Sequence, residues 1–452
     1  METIDTTQAS LEKLSFDKFR EEVLKDYKVV CESREASLLG RKEVLTGKAK
    51  FGIFGDGKEV AQVAMAKFFK PGDFRSGYYR DQTFMFASGL STIEQFFAQL
   101  YADPDVNNEP FSAGRQMNSH FATKFVDENG EWLDLANKKN VSADIAPTAG
   151  QMPRALGLAL ASKLFRTEKT LSELNNLSDN GNEICFCTIG DASTSEGHFW
   201  ETMNAAGVLQ VPLAVFVWDD GYGISVPKKY QTTKESISGA LKGFEKEEDT
   251  NGIRIYKLKG WDYAGMCETL ENAIREMRKT HVPALFHVEE ITQPQGHSTS
   301  GSHERYKEQQ RLEWEKKWDC IVQMKQWILT NALAEENELE AIETLSTIPP
   351  CARMFDFDYP DQLKPTPLPI KPKPSKSKAL PKVDIVVVTW TAAEAKALAD
   401  IFTCPFRPNR STPSTNNWYG YNRNFQTKFK DRIRTGAPSR EPSLLGSYFI
   451  CT

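Results

Sequence analysis

The sequence lacks the features that would place it in a membrane, in a disulfide framework or on nucleic acid. No apolar run reaches the roughly eighteen residues that a helix needs to cross a bilayer. Met1 to Glu22 is polar and of mixed charge, without the apolar stretch of a leader, so a cytoplasmic location is expected. The eight cysteines include no Cys-x-x-Cys pair. Cys185 and Cys187 alternate along one apolar run and read as small buried hydrophobes in a reducing compartment. Of six histidines, His120, His198, His281, His287 and His303 show no metal-ligand spacing and read as structural or surface residues. Lys and Arg number 56 against 61 Asp and Glu, a net charge of −5, which gives no general basis for binding nucleic acid. No internal repeat is evident.

What is present is a core-forming composition. With 452 residues, 40% hydrophobic and 26% charged, the chain is too long for one average domain. Apolar runs at Glu183 to Ile189, Leu213 to Trp218, Gly252 to Lys257 and Ala284 to Glu289 read as strands separated by helices. This alternation predicts an α/β fold with a parallel sheet covered on both faces. Charge-rich helices are expected over Glu304 to Leu329 and Ala332 to Leu345, with Trp314, Trp318, Ile321, Met324 and Ile328 as packing residues. Residues 1–14 read as an N-terminal extension, 15–345 as the main domain and 346–382 as a Pro/Lys-rich, extended linker. Residues 383–452 read as an incomplete second α/β fragment, opening with a strand at Val383 to Trp390 and a helix at Thr391 to Phe402.

The chemistry concentrates between Cys185 and Ser225. A strand ends in Gly190-Asp191-Ala192-Ser193, a helix with Phe199, Met203, Ala206 and Leu209 on one face follows, and Ser193 to Glu196 fits a capping box. A second strand ends in Asp219-Asp220-Gly221-Tyr222. Two strand ends thus deliver carboxylates to one sheet edge, where a hard cation finds oxygen ligands and a helix N-terminus favours an anion. The competing reading is a buried strand-turn-helix that merely displays surface acids.

This segment resembles the thiamine diphosphate motif of 2-oxoacid dehydrogenases, a Gly-Asp-Gly closing on Asn-Asn about thirty residues later. Asp191 and Asp220 stand 29 positions apart. The resemblance implies magnesium held by Asp191, the Asp220 side chain and the Tyr222 carbonyl, with Ala192 and Ser193 beside the diphosphate. Upstream, Gly57-Lys58-Glu59-Val60 opens an amphipathic helix, and Tyr79-Arg80 resembles the family's phosphate-binding Tyr-Arg pair, a guanidinium fork plus a hydroxyl. Taken alone, Arg80 reads better as a surface ion pair with Asp81 or Asp73. Phe96 to Tyr101 and Gly114 to Phe121 continue the likeness in order, closer to the branched-chain than the pyruvate branch. Asp144 to Lys163 resembles the loop and helix beneath the thiamine rings, with Thr148 where a larger apolar residue is usual. Gln293 to Ser300 resembles a mobile loop whose histidine, here His297, reaches the cofactor and helps pass the acyl group on; otherwise it is a solvated loop histidine.

Three departures accompany the likeness. Ala192 replaces a glycine, so its turn must avoid positive φ. Trp218-Asp219-Asp220 replaces Arg-Asn-Asn, which removes a cation, adds two carboxylates and requires Asp219 to point away. Gln82 stands where pyruvate enzymes often carry histidine, favouring branched 2-oxoacids.

The resemblance covers about residues 15 to 345. It implies the alpha subunit of a 2-oxoacid dehydrogenase, best matched to 3-methyl-2-oxobutanoate, with thiamine diphosphate and Mg2+ as cofactors. It also implies a beta subunit that completes the site, a lipoyl-bearing acyltransferase and an alpha2-beta2 assembly. The alternatives are a pyruvate dehydrogenase alpha subunit, or a non-catalytic fusion protein that keeps the fold.

Overall fold

The computed structural model describes residues 15–298 and 302–347, and beyond them strands at 385–388, 418–421 and 448–451. The chain divides into two units, Met1–Glu43 with Phe51–Pro350, and Val44–Lys50 with Cys351–Thr452.

In chain order the strands of the first unit are β1 (Phe74–Ser76), β2 (Asn140–Val141), β3 (Cys185–Gly190), β4 (Leu213–Trp218), a hairpin of β5 (Tyr222–Gly223) and β6 (Val226–Pro227), β7 (Arg254–Lys259) and β8 (Ala284–Glu289). All but the hairpin form one sheet, ordered β2-β1-β3-β4-β8-β7. Every neighbouring pair in it is parallel. The central strand β4 is apolar along its whole length because both of its faces are covered, and all six of its residues are buried.

Alternation along the strands separates two cores. Cys185, Cys187, Ile189, Leu213, Val215, Val217 and Leu285 face one side. There they meet Ala155 and Ala159 of α5 (Gln151–Thr167) and Phe199, Met203 and Ala206 of α6 (Gly197–Leu209). Small residues on α5 let its backbone lie close to the sheet. On the other face Phe186, Phe216, Phe286 and Tyr256 form a stacked row across four strands, with the Phe216 and Phe286 centroids 4.6 Å apart. Opposite Phe186 in the register of β1 with β3, the fully buried Arg75 ties Asp81 to Asp144, donating through Nε at 2.9 Å and Nη1 at 3.0 Å. This knot fixes the segments leaving β1 and β2 relative to each other.

The remaining helices are α1 (Phe16–Leu45), α2 (Glu59–Ala66), α3 (Gln82–Ala87), α4 (Ile93–Leu100), α7 (Ile237–Ala240), α8 (Tyr263–Thr280), α9 (Gln309–Lys317), α10 (Cys320–Thr330) and α11 (Glu336–Ser346). None among the described residues is long and apolar enough to cross a membrane.

Several local expectations are corrected. All eight residues of α2 are buried, so it is not amphipathic; α3, α8 and α10 pack around it. The Ser193–Glu196 capping box does not form. Instead, Thr194 folds back on the Asp191 carbonyl through its N-H (3.1 Å) and hydroxyl (2.6 Å), making a 3-10 turn over Ala192–Ser195. The helix then starts at Gly197, after an extended Glu196. The single helix expected over 304–329 is broken between α9 and α10, where the Asp319 carboxylate caps the Ile321 N-H at 3.0 Å.

In the second unit, β9 (Ile385–Val388), β10 (Trp418–Tyr421) and β11 (Tyr448–Cys451) form an antiparallel sheet ordered β10-β11-β9. The strand expected at Val383 to Trp390 is thus seen in part. The helix expected at Thr391 to Phe402 and nearly all of the linker at 346–382 lie outside the described residues.

Candidate active site

Four adjacent strands, β1, β3, β4 and β8, send their carboxyl-end loops to one place, where ligand sites of open α/β sheets form. The register pairs Gly190 with Trp218, so Asp191 and Asp219-Asp220 leave neighbouring strands at the same level. Tyr79 and Arg80 follow β1, and His297 lies on the loop after β8. Tyr79, Arg80, Thr148, Asp191, Ala192, Ser193, Asp220, Tyr222 and His297 all border one cavity of about 430 Å³. Ala192 lies in the right-handed 3-10 turn, so no positive φ is imposed on it.

The charges around this cavity are unevenly matched. Asp191 is buried, and burial together with the like charges of Asp220 and Asp219 drives its carboxyl well above the usual range; Lys58 opposes this only weakly. Asp220 behaves oppositely. Burial works against its ionised form, but the Lys58 ammonium and Arg80 guanidinium hold its carboxyl below the usual range. Lys58 Nζ donates to Asp220 Oδ2 at 3.0 Å, and the Tyr222 N-H donates to Oδ1 at 3.2 Å.

Arg80 rests both arms on carbonyl oxygens, Nη1 on Phe54 at 2.6 Å and Nη2 on His297 at 2.8 Å. Its charge is therefore available to an anion. Gly55 is required beside it, since a Cβ there would lie 2.3 Å from the Arg80 carbonyl. Burial and the cations Arg80 and Lys58 lower the His297 imidazole to about 4, so it is neutral near pH 7. Its Nδ1 is buried without a hydrogen-bond partner among the described residues. Arg311 donates to the Asp220 carbonyl at 2.8 Å and the Ile291 carbonyl at 3.1 Å, bracing two of the loops.

Asp219 does turn away. Its Oδ2 accepts from Lys228 Nζ at 2.8 Å and lies 3.0 Å from His287 Nε2, while Oδ1 accepts the Gly221 N-H. Trp218 faces the opposite core and donates its indole N-H to Asp81 Oδ1 at 3.3 Å, so its side chain replaces nothing in the cavity. Gln82 is also outside. Its amide bridges the Gly55 N-H and the Ser33 and Ser37 hydroxyls, a structural role that weakens its use as a guide to substrate. Arg115, Gln116, His120 and Phe121 border a separate cavity of about 410 Å³.

Sequence reasoning missed the pairing of Lys58 with Asp220, whereas His287, read as a structural or surface residue, is buried and holds Asp219. Lys58 lies 162 positions from Asp220, and its only local signal is a lysine at the mouth of a largely apolar helix.

Residues 31–347 match the sequence model of the family described as "Dehydrogenase E1 component". The chain belongs to that family. Among its relatives, the E1-type chain is 28% identical over 297 residues to the mitochondrial 2-oxoisovalerate dehydrogenase subunit alpha of Caenorhabditis elegans, covering 65% of this chain and 59% of the relative. It is 26% identical over 306 residues to the 2-oxoisovalerate dehydrogenase subunit alpha of Bacillus subtilis (67% and 81%). It is also 25% identical over 328 residues to the pyruvate dehydrogenase E1 component subunit alpha of Acholeplasma laidlawii (72% and 80%). The match thus spans well under two thirds of the worm relative's length. E1 membership implies thiamine diphosphate, and the residues present suit it: a guanidinium whose two arms rest on neutral carbonyls and an orphaned imidazole nitrogen for the diphosphate, and a buried carboxylate short of positive charge for a bridging cation.

Proposed function

We propose that this chain is the alpha subunit of a 2-oxoacid dehydrogenase, binding thiamine diphosphate and Mg2+ in the 430 Å³ cavity. The observation that carries the reading is the convergence of Asp191 and Asp220, from neighbouring strand ends, with Arg80 and His297 on one cavity. Asp191, the Asp220 side chain and the Tyr222 carbonyl would hold the metal. Arg80 and Tyr79 would take diphosphate oxygens, with Ser193 and the turn at Ala192 beside them and Thr148 beneath the rings. When bound, the cofactor supplies an electron sink for loss of carbon dioxide from a 2-oxoacid.

The protein's own part is to bind, orient and exclude water. Arg80 carries a fixed, forked positive charge. His297, neutral at pH 7, offers one ring nitrogen as acceptor and the other as donor, which suits it to contact the cofactor and orient the acyl group as it passes to a lipoyl arm. The preferred substrate is 3-methyl-2-oxobutanoate, supported by relatives named for 2-oxoisovalerate; the relative named for pyruvate supports the second reading, a pyruvate enzyme. A beta subunit in an alpha2-beta2 assembly and a lipoyl-bearing acyltransferase complete the reading. Cytoplasmic residence, a dehydrogenase domain at 15–345, a linker at 346–382 and a separate fragment at 383–452 belong to it as well.

The test is calorimetric. Thiamine diphosphate with Mg2+ should bind the full chain, supplemented with its beta subunit, at one site per alpha chain, and thiamine lacking the diphosphate should bind at least 100-fold more weakly. Equal affinity for both would remove the diphosphate site.

A further inference from the structure

Lys58 is a deeply buried charge at the edge of the proposed site. Its side chain is 1% exposed, it precedes a helix that is buried on every side, and its ammonium lies 3.0 Å from Asp220 Oδ2. A lysine is rarely so deep unless a partner and a purpose hold it there. It does not border the cavity, so it does not meet a ligand directly. It sits behind Asp220, whose other oxygen already accepts the Tyr222 N-H.

Two ionised carboxylates converging on one cavity would attract a divalent cation strongly without help. The ammonium cancels one of those charges and occupies one of the oxygens, leaving Asp191 as the only cavity carboxylate without a cationic partner of its own.

We propose that Lys58 is a built-in counter-ion that stops Asp191 and Asp220 from holding a divalent cation by themselves, so that cation capture depends on the incoming diphosphate. The inference rests on reading those two aspartates as the metal-diphosphate site. Lys58 is then a positioning residue: it acts through Asp220, and it makes the metal and the cofactor arrive as one unit.

Mn2+ titration followed by electron paramagnetic resonance tests this on the full chain in whatever assembly it purifies. The wild type should bind Mn2+ alone only at millimolar concentration, and saturating thiamine diphosphate should tighten Mn2+ at least tenfold. Lys58→Met should gain at least tenfold in affinity for Mn2+ alone, and the double variant Lys58→Met/Asp220→Asn should lose that gain. A merely structural lysine would lower the melting temperature of Lys58→Met without creating a metal site. If Lys58→Met does not fold, the wild type decides: Mn2+ affinity that is the same with and without the diphosphate overturns the proposal. Tight thiamine diphosphate binding with no gain in Lys58→Met sinks the role of Lys58 alone. Absence of thiamine diphosphate binding in every variant sinks the cofactor reading, while the Mn2+ comparison still reports on Lys58.

Discussion

His287 Nε2 lies 3.0 Å from Asp219 Oδ2, and its other ring nitrogen lies 2.9 Å from the Ser238 hydroxyl, so the carboxylate next to Asp220 is anchored on the far side of β8. Glu289 completes a group of three ligand-type side chains there, and Lys228 supplies its positive charge. The backbone between Asp219 and Tyr222 is thereby fixed from behind, with the Gly221 N-H on Asp219 and the Tyr222 N-H on Asp220.

This anchoring has a pH signature. Burial opposes ionisation of Asp219, but the His287 hydrogen bond and Lys228 hold its carboxyl down at about 2. A depressed carboxyl contributes stability that is fully present above the unfolded pKa and is lost as pH falls through the folded one. The Asp219 contribution, about 2 kcal/mol by linkage, should therefore vanish between about pH 4 and pH 2. Lys228→Met should move that loss to higher pH in urea unfolding series; an unchanged acid limb would show that Lys228 does not set it.

Asp191 and Asp220 should respond differently to neutralisation. Asp191→Ala is expected to abolish Mg2+-dependent thiamine diphosphate binding while raising stability slightly, because a buried carboxylate among like charges is removed. Asp220→Asn leaves Lys58 buried without its counter-charge and should cost about 3–5 kcal/mol of folding stability. Chemical denaturation checks this, and equal stability of the two variants would contradict it.

His297→Ala tests the loop. Its imidazole Nδ1 has no hydrogen-bond partner to lose, so the melting temperature should change by no more than a few degrees. Lipoyl-dependent turnover in a reconstituted complex should fall at least 100-fold. A large loss of stability with normal turnover would make His297 a folding residue.

Composite activity is the fourth expectation. The purified chain should show negligible 2-oxoacid decarboxylation until a beta subunit is added, and truncation after Leu345 should leave cofactor affinity unchanged. Full turnover by the chain alone, with no second chain detectable by mass spectrometry, would refute the composite site.

The sequence by itself determined β3, β4, β7 and β8, with β7 ending two residues later than expected, and left the short β1 and β2 unread. The runs at Cys185–Gly190 and Leu213–Trp218 are apolar throughout because a central parallel strand is covered twice, and each stops at an aspartate that cannot continue into the core. Local period and composition suffice for that. The tertiary structure alone decided which way the charges face. The partners of Asp219 and Asp220 include His287, 68 positions away, and Lys58, 162 positions away, and no local pattern encodes such pairings. The same holds for Trp218, whose face was set by strand alternation but whose partner, Asp81, was set by the Arg75 knot beneath it. Ion pairs and buried hydrogen bonds depend on distance in space: the pairing of β4 with β8 set His287 beside Asp219, and the segments that lead into α2 and α3 brought Lys58 and Asp81 to Asp220 and Trp218, all within 3.3 Å.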